Sequence, residues 1–391
     1  MTPIRGFALA LSGLLIALAI GLWLGGHPTD LPSFLRDTFV EDERALQAEV
    51  IDTIEDNYYR KIPKERLQDE SLRGMVRALH DPFSHYVSPK EAARFRESIE
   101  GEFEGIGMTV EQNRRGLRVL TVFRDTPARR AGIRTGDLIT AVNGRSIAGL
   151  NSDVATARIK GPAGTKVRLR VMTPGTKRSR QLEVRRAHIE VPVAETKFVT
   201  RDGRKLAVIK LLGFTSGAHG LLRQQVDRAL DRGAKGIVLD LRGNGGGLLR
   251  EAVLVASIFL EEGEIVSVRG RVRRNRTETA RGDAINARIP IVLLVDRGSA
   301  SASEIVTGAL RDRGRATVVG TRTFGKGLVQ EVEPLSNGGV LDLTVAKYYL
   351  PKGETITRAG LRPQVRARDN PRTRRDEALP VAVDTLLDRL R

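Results

Sequence analysis

The sequence predicts an α/β protein. It places a layered α/β core over residues 191–365, after a helical region and a β-rich insertion. Three observations predict it. From Val191 onward, largely apolar runs (LAVIKL, GIVLDL, IPIVLLV, ATVVG) alternate with helical patterns, and such strands are buried on both faces of a sheet. Residues 101–190 carry short alternating strands, LRVLTVF and KVRLRVM, between glycine turns. Residues 39–59 and 67–79 repeat apolar side chains at helical spacing.

Taken in order, the chain opens on Met1–Arg5 with one positive side chain. Gly6–Gly26 then runs 21 residues without a charge, long enough to cross a bilayer as a helix. A signal peptide has a shorter apolar core and a small-x-small cleavage site. No clean A-x-A precedes His27, so residues 1–26 read as an uncleaved signal anchor in preference to a cleaved signal. In either case the rest of the chain is expected to be exported, with its basic end left inside. A helical region spans 27–100, broken at Asp81-Pro82 and Ser88-Pro89. The β-rich region follows at 101–190. In the core, helices are expected over 221–232, 248–261 and 303–312. A basic tail over 366–391 ends in an amphipathic stretch, Leu379–Leu390.

Composition narrows the chemistry. The 391 residues include no cysteine, which removes disulfides, thiolate zinc sites and a cysteine nucleophile. The net charge of +18 invites a nucleic-acid reading. The positive charge is interspersed with acids, however, and its one dense run, RGRVRRNR at 269–276, lacks interleaved aromatics. No nucleic-acid partner is expected. Attraction to anionic lipid headgroups needs no dedicated site.

Residues 126–144, TPARRAGIRTGDLITAVNG, read as a short helix ended by Gly132, a turn, a strand and a tight Asn143-Gly144 turn. Upstream stands Gly105-Ile106-Gly107-Met108. This segment resembles a PDZ domain. The resemblance implies that Gly105 to Met108 offer backbone N–H groups to the terminal carboxylate of a peptide that adds a strand to the sheet edge.

Three glycine-containing loops follow. LDLRGNGGG at 239–247 is a strand entering a turn that can bring bare N–H groups to a phosphate or an oxyanion. DRGSASASE at 296–304 has a strand before it and a helix after it. GTRTFGKG at 320–327 has most of a P-loop, but position 327 is Gly, leaving no hydroxyl for Mg²⁺, and LVQEV beyond it alternates like a strand. ATP binding is therefore not expected.

A serine nucleophile needs a base. The five histidines, at 27, 80, 85, 188 and 219, lie outside these loops, and nothing marks His188 or His219 for the role. Lysine is the alternative. The chain prefers arginine, yet Lys326 is the one lysine between Lys235 and Lys347, and arginine could not deprotonate in its place.

The ordering of exported N-terminus, PDZ, DLRGNGGG, DRGSASASE and FGKGLVQ, with LHDPFSHYVSP before the PDZ, resembles the carboxyl-terminal processing (tail-specific) proteases. The resemblance implies a layered α/β (crotonase-like) protease core with an inserted β-rich PDZ domain and an N-terminal helical segment. It implies a Ser-Lys dyad with Ser301 as nucleophile, Lys326 as base and Gln330 orienting the lysine. Residues 326, 328 and 330 are expected on one face of a strand. Oxyanion donors would be the N–H of Gly246 or Gly247 and of Ala302. Ser299 and Ser303 would be structural, with Ser303 capping the following helix. Lys160 stands where the family commonly has a basic residue, often Arg, closing the PDZ helix. The expected partners are proteins with free C-termini, reached from the periplasmic face of the inner membrane. No cofactor and no metal are implied, and adaptors and oligomers stay open. The competing reading is a non-catalytic PDZ adaptor of the envelope; Ser301, Lys326 and Gln330 together favour the enzyme.

Overall fold

A computed structural model describes residues 42–150, 152–173, 179–369 and 375–391. The apolar run Gly6–Gly26 lies outside them. Among the described residues no helix is long and apolar enough to cross a membrane.

The chain divides into two compact units, Met1–Ser88 and Pro89–Arg391. In the first, helices α1 (Asp42–Asn57) and α2 (Lys64–Arg77) precede a short strand, β1 (His85–Val87). Asp81 shapes the turn between them: its carboxylate accepts from Phe83 N at 3.0 Å and Ser84 Oγ at 2.7 Å. The third helix, α3 (Pro89–Glu100), belongs to the second unit, so the helical region expected to 100 ends as a unit at Ser88.

The β-rich region hangs on a two-stranded neck, β2 (Glu102–Gly105) paired antiparallel with β9 (Ala187–Glu190). Between them lie β3 (Met108–Asn113), β4 (Gly116–Val122), α4 (Pro127–Arg130), β5 (Leu138–Val142), β6 (Arg145–Ser146), α5 (Ser152–Ile159), β7 (Lys166–Met172) and β8 (Ser179–Arg185). The sheet runs β3-β4-β5-β7-β8, with β6 on β5. Strand β7 alternates as its sequence demands: Val167, Leu169 and Val171 are buried while the basic residues between them face water. Proline at the first position of α4 supplies the helical φ, and Gly132 at φ +76 ends that turn.

The core is a six-stranded sheet in the order β10 (Ala194–Arg201), β11 (Arg204–Leu211), β12 (Ile237–Asp240), β15 (Ile291–Val295), β16 (Ala316–Gly320), β19 (Val365–Arg366). All pairs except β10–β11 are parallel. Crossover helices α6 (Ala218–Asp231), α7 (Leu249–Ser257) and α8 (Ala302–Asp312) bury one face, on Ala207, Ile209, Leu239 and Leu293. The other face, Leu206, Val208, Val238, Val292 and Val319, is covered by α9 (Ala378–Asp388). The stretch expected as a basic tail is thus a layer of the core. A second, antiparallel sheet contains β13 (Glu264–Gly270), β14 (Arg276–Thr279), β17 (Leu328–Pro334) and β18 (Val340–Tyr349).

Arg242 ties α9 to the sheet. It pairs with Asp240 at 2.8 Å, Asp369 at 2.8 Å and Asp376 at 2.9 Å. Burial alone would lower its pKa, but hydrogen bonds to Asp240 and Asp376 outweigh that and raise it. Arg242→Leu strips a buried carboxylate of its partner and is expected to destabilise the fold by about 3–5 kcal/mol, read by chemical denaturation. The Arg242 guanidinium in turn holds Asp376 below the ordinary 3.8. A depressed carboxyl contributes stability above its unfolded value and loses it as pH falls through the folded one. The α9 latch is therefore expected to loosen below about pH 4, seen as faster amide exchange in residues 378–388.

Candidate active site

Three loops leave the carboxyl ends of β12, β15 and β16, where open α/β sheets place their ligands. Asn244, buried in the first loop, pins it to the second. Its side chain donates to Leu211 O at 2.9 Å and accepts from Gly246 N at 2.9 Å. Its own carbonyl accepts from Ala300 N at 3.0 Å and from Ser303 Oγ at 2.8 Å.

Burial separates the three serines. Ser299 and Ser303 are 0% exposed, and Ser299 Oγ donates to Leu241 O at 2.8 Å. Both are internal braces. Ser301 is partly exposed and has φ 53 and ψ −114, outside the conformations a non-glycine residue favours. It is the N-cap of α8, a position expected for Ser303. Ser303 is instead already helical and spends its hydroxyl on Asn244.

A carboxylate holds the Ser301 and Lys326 loops together. Glu304, 0% exposed, accepts from Ser301 N at 2.9 Å and Lys326 N at 2.9 Å through Oε2. Its Oε1 accepts from Gly325 N at 2.9 Å and from the Thr323 hydroxyl. The Tyr348 hydroxyl forms a second bridge, reaching Ser301 O at 3.2 Å and Lys326 O. Burial, then the charge of Glu304, pushes the Tyr348 phenol up, which keeps it a donor. Burial likewise pushes Glu304 above 4.5, against the four hydrogen bonds that favour its ionised form.

The Gly-rich turn lies against the serine. A Cβ on Gly246 would come within 2.9 Å of both Ser301 Cβ and Ala302 N, and 2.8 Å of Ala300 O. The Gly246 N–H is engaged by Asn244. Among the described residues no acceptor takes the N–H of Gly247 or of Ala302, the latter an orphan of the first helical turn. Lys326 sits in the turn before β17, so it does not share a strand face with Leu328 and Gln330 as the spacing suggests. Gln330 Nε2 donates to Thr344 Oγ1 at 3.0 Å across the β17–β18 pair.

The comparisons with known proteins match this arrangement. Peptidase family S41 matches residues 205–367, the span that holds all three loops. A carboxy-terminal-processing protease of Bartonella bacilliformis is 38% identical over 314 residues, covering 78% of this chain and 71% of that one. The chain belongs to peptidase family S41. Like other S41 peptidases it is a serine-type protease. The carboxy-terminal processing protease CtpA of Bacillus subtilis is 33% identical over 362 residues, 92% of this chain and 76% of that one. The structure of a photosystem II D1 C-terminal processing protease aligns with a TM-score of 0.50 and 29% identity, over 84% of this chain and 94% of that one. A PDZ domain matches residues 105–184, and the N-terminal domain of the activating protease CtpB matches residues 40–91.

The PDZ groove of this S41 peptidase is a cavity of about 990 Å³ between β3 and α5, lined by Phe103, Ile106, Met108, Val154 and Ile159. Strand β3 is the sheet's edge, so a peptide can add beside it. In the loop, Ile106 O accepts from Ala128 N at 2.7 Å and Gly107 O from Phe123 N at 3.0 Å. The N–H groups of Ile106 and Gly107 take no acceptor among the described residues. Gly107 has φ +86, and a Cβ there would sit 2.4 Å from Thr126. His188 and His219 are held elsewhere: His188 Nε2 by Glu102 at 2.9 Å on the neck, and His219 Nδ1 by Glu251 at 2.8 Å.

The sequence reading missed Asn244, Glu304, Thr323 and Tyr348. Only Glu304 had a local signal, the S-x-x-E of a capping box starting at Ser301. Gly246→Ala is expected to displace the serine turn and lower kcat about 10²-fold, the scale of a misplacement of about 1 Å. Gly245→Ala is the control in the same kinetic assay: a Cβ there meets nothing within 4 Å, so near wild-type kcat is expected.

Proposed function

We propose that this S41 peptidase is a Ser-Lys endopeptidase of the periplasm, anchored to the inner membrane by its N-terminal segment. Its PDZ groove captures the free C-terminal tail of a protein and delivers the adjoining segment to Ser301. The reading is carried by one observation: Ser301, alone of its three neighbouring serines, is partly exposed, strained and bridged to the Lys326 loop.

The chemistry runs as follows. Neutral Lys326 Nζ takes the Ser301 Oγ proton as Oγ attacks the scissile carbonyl. The developing oxyanion is received by the N–H groups of Gly247 and Ala302, with Gly246 supplying close approach in place of a hydrogen bond. The lysine returns its proton to the leaving amine, and water then hydrolyses the acyl-enzyme by the same exchange. Gln330, its amide nitrogen committed to Thr344, presents its oxygen to orient the lysine. The Ile106 and Gly107 N–H groups receive the substrate's terminal carboxylate.

The test is cleavage of a protein with an apolar, unstructured C-terminus. Wild type should cut it and Ser301→Ala should not. Amidation of the substrate C-terminus should raise KM about 10-fold or more while kcat changes little, the signature of lost uniform binding. A protein that binds the tail and never cuts it is an envelope adaptor, and the hydrolytic reading fails.

A further inference from the structure

Beside the active site, at the carboxyl ends of β12, β15 and β16, a cavity of about 710 Å³ is lined by Arg297, Arg322, Arg362, Arg366 and Arg368. None of these five makes an ion pair among the described residues. The two carboxylates in the lining are already engaged. Asp296 accepts from Gly243 N and Gly298 N, each at 2.9 Å, and Asp369 from Arg242 at 2.8 Å and from Glu377 N and Ala378 N. Arg242, also in the lining, is paired with three aspartates, which leaves two surplus negative charges at that end of the cavity. Five unpaired guanidiniums outnumber Asp296 and the surplus carboxylates around Arg242, so the concavity is net positive, and guanidinium forks match carboxylates bidentately.

The placement says what fills it. Arg297 stands four residues before Ser301, and Arg322 four before Lys326. The loops that carry the nucleophile and the lysine therefore carry these arginines as well. The geometry points to a specificity pocket that takes Asp and Glu side chains of the substrate flanking the scissile bond. This rests on the proteolytic reading above and adds a substrate class to it: unstructured tails whose apolar terminus is preceded by acidic residues. A concave pocket shared with the reacting loops favours a peptide over a lipid surface, which would meet a flat face.

The experiment uses two peptides with the same free apolar C-terminus, differing only in three Asp or three Asn spaced through the central segment. Binding to the Ser301→Ala protein is read by fluorescence anisotropy at 50 and 300 mM salt, and kcat/KM by cleavage with wild type. The Asp peptide is expected to bind and be cut about 10-fold better at 50 mM, with the advantage shrinking at 300 mM as screening grows. In Arg322→Gln/Arg362→Gln/Arg366→Gln the Asp:Asn ratio should fall towards one. Equal handling of the two peptides by the parent proteins overturns the pocket, as does a ratio that survives in the triple variant. Displacement of the Asp peptide by phosphatidylglycerol vesicles, abolished in the triple variant, would assign the arginines to headgroups and overturn it as well. Cleavage without preference sinks this inference alone. Preferential binding with no cleavage by wild type sinks the hydrolytic reading and sustains the pocket.

Discussion

Lys326→Arg is expected to silence the enzyme as completely as Ser301→Ala, by about 10⁴–10⁶-fold in kcat. The substitution keeps a long basic side chain but replaces a titratable amine with a planar guanidinium, which does not give up its proton at any working pH. A base must be neutral to accept one, and lysine, with an ordinary pKa near 10.4, can be made so by burial and neighbours. The Lys326 backbone anchors, its N–H on Glu304 and its carbonyl on Tyr348, are independent of the side chain, so the loop should hold its course in the variant. Single-turnover cleavage measures the loss, and thermal unfolding confirms that the fold is retained. Activity within 10-fold of wild type would remove Lys326 from the chemistry.

Glu304→Gln is the second large effect, about 10²-fold in kcat with KM little changed. Four donors converge on this carboxylate, and an amide offers them one accepting oxygen and an NH₂ group that repels. At least one buried donor loses its acceptor, at about 1–3 kcal/mol, and the serine and lysine loops drift apart. Displacements of about 1 Å are enough for such a loss in rate. The kcat-against-KM split separates this positioning role from substrate binding. Protonation should act as the mutation does. Burial raises the folded value of Glu304 above 4.5, so activity is expected to appear only as pH climbs past that raised value. Stability runs the other way. A carboxyl with a raised folded pKa favours the folded state at low pH and gives up that contribution as pH rises through it. The hub is ionised for function at a cost in stability.

Much of this was legible beforehand. The apolar runs from Leu206 to Gly320 announced buried strands because a parallel sheet covered on both faces leaves no polar side. Ser301, Lys326 and the glycine turn stood out by residue type and by resemblance. What escaped was long-range. Tyr348 is 47 residues from Ser301, and nothing local marks a strand tyrosine that reaches two carbonyls. Asn244 looked like one more turn residue, although its backbone carbonyl joins the glycine and serine loops. The cap was read two residues late because Ser303 has the right chemistry, and only burial shows its hydroxyl already engaged. Whether the basic stretch after Val365 packs was not legible, since its apolar positions matter only against a sheet face far away in sequence.

That last feature orders events in time. Ribosomes deliver Ser301 and Lys326 before residues 369–388, yet Arg242, at the root of the glycine turn, is clamped by Asp369 and Asp376, and one sheet face waits for α9. A partly synthesised chain carries Ser301 and Lys326 without the clasp at the root of the glycine turn. The root of the glycine turn beside Ser301 is thereby fixed only after the serine and lysine loops have been made, so the last residues of the chain complete the assembly.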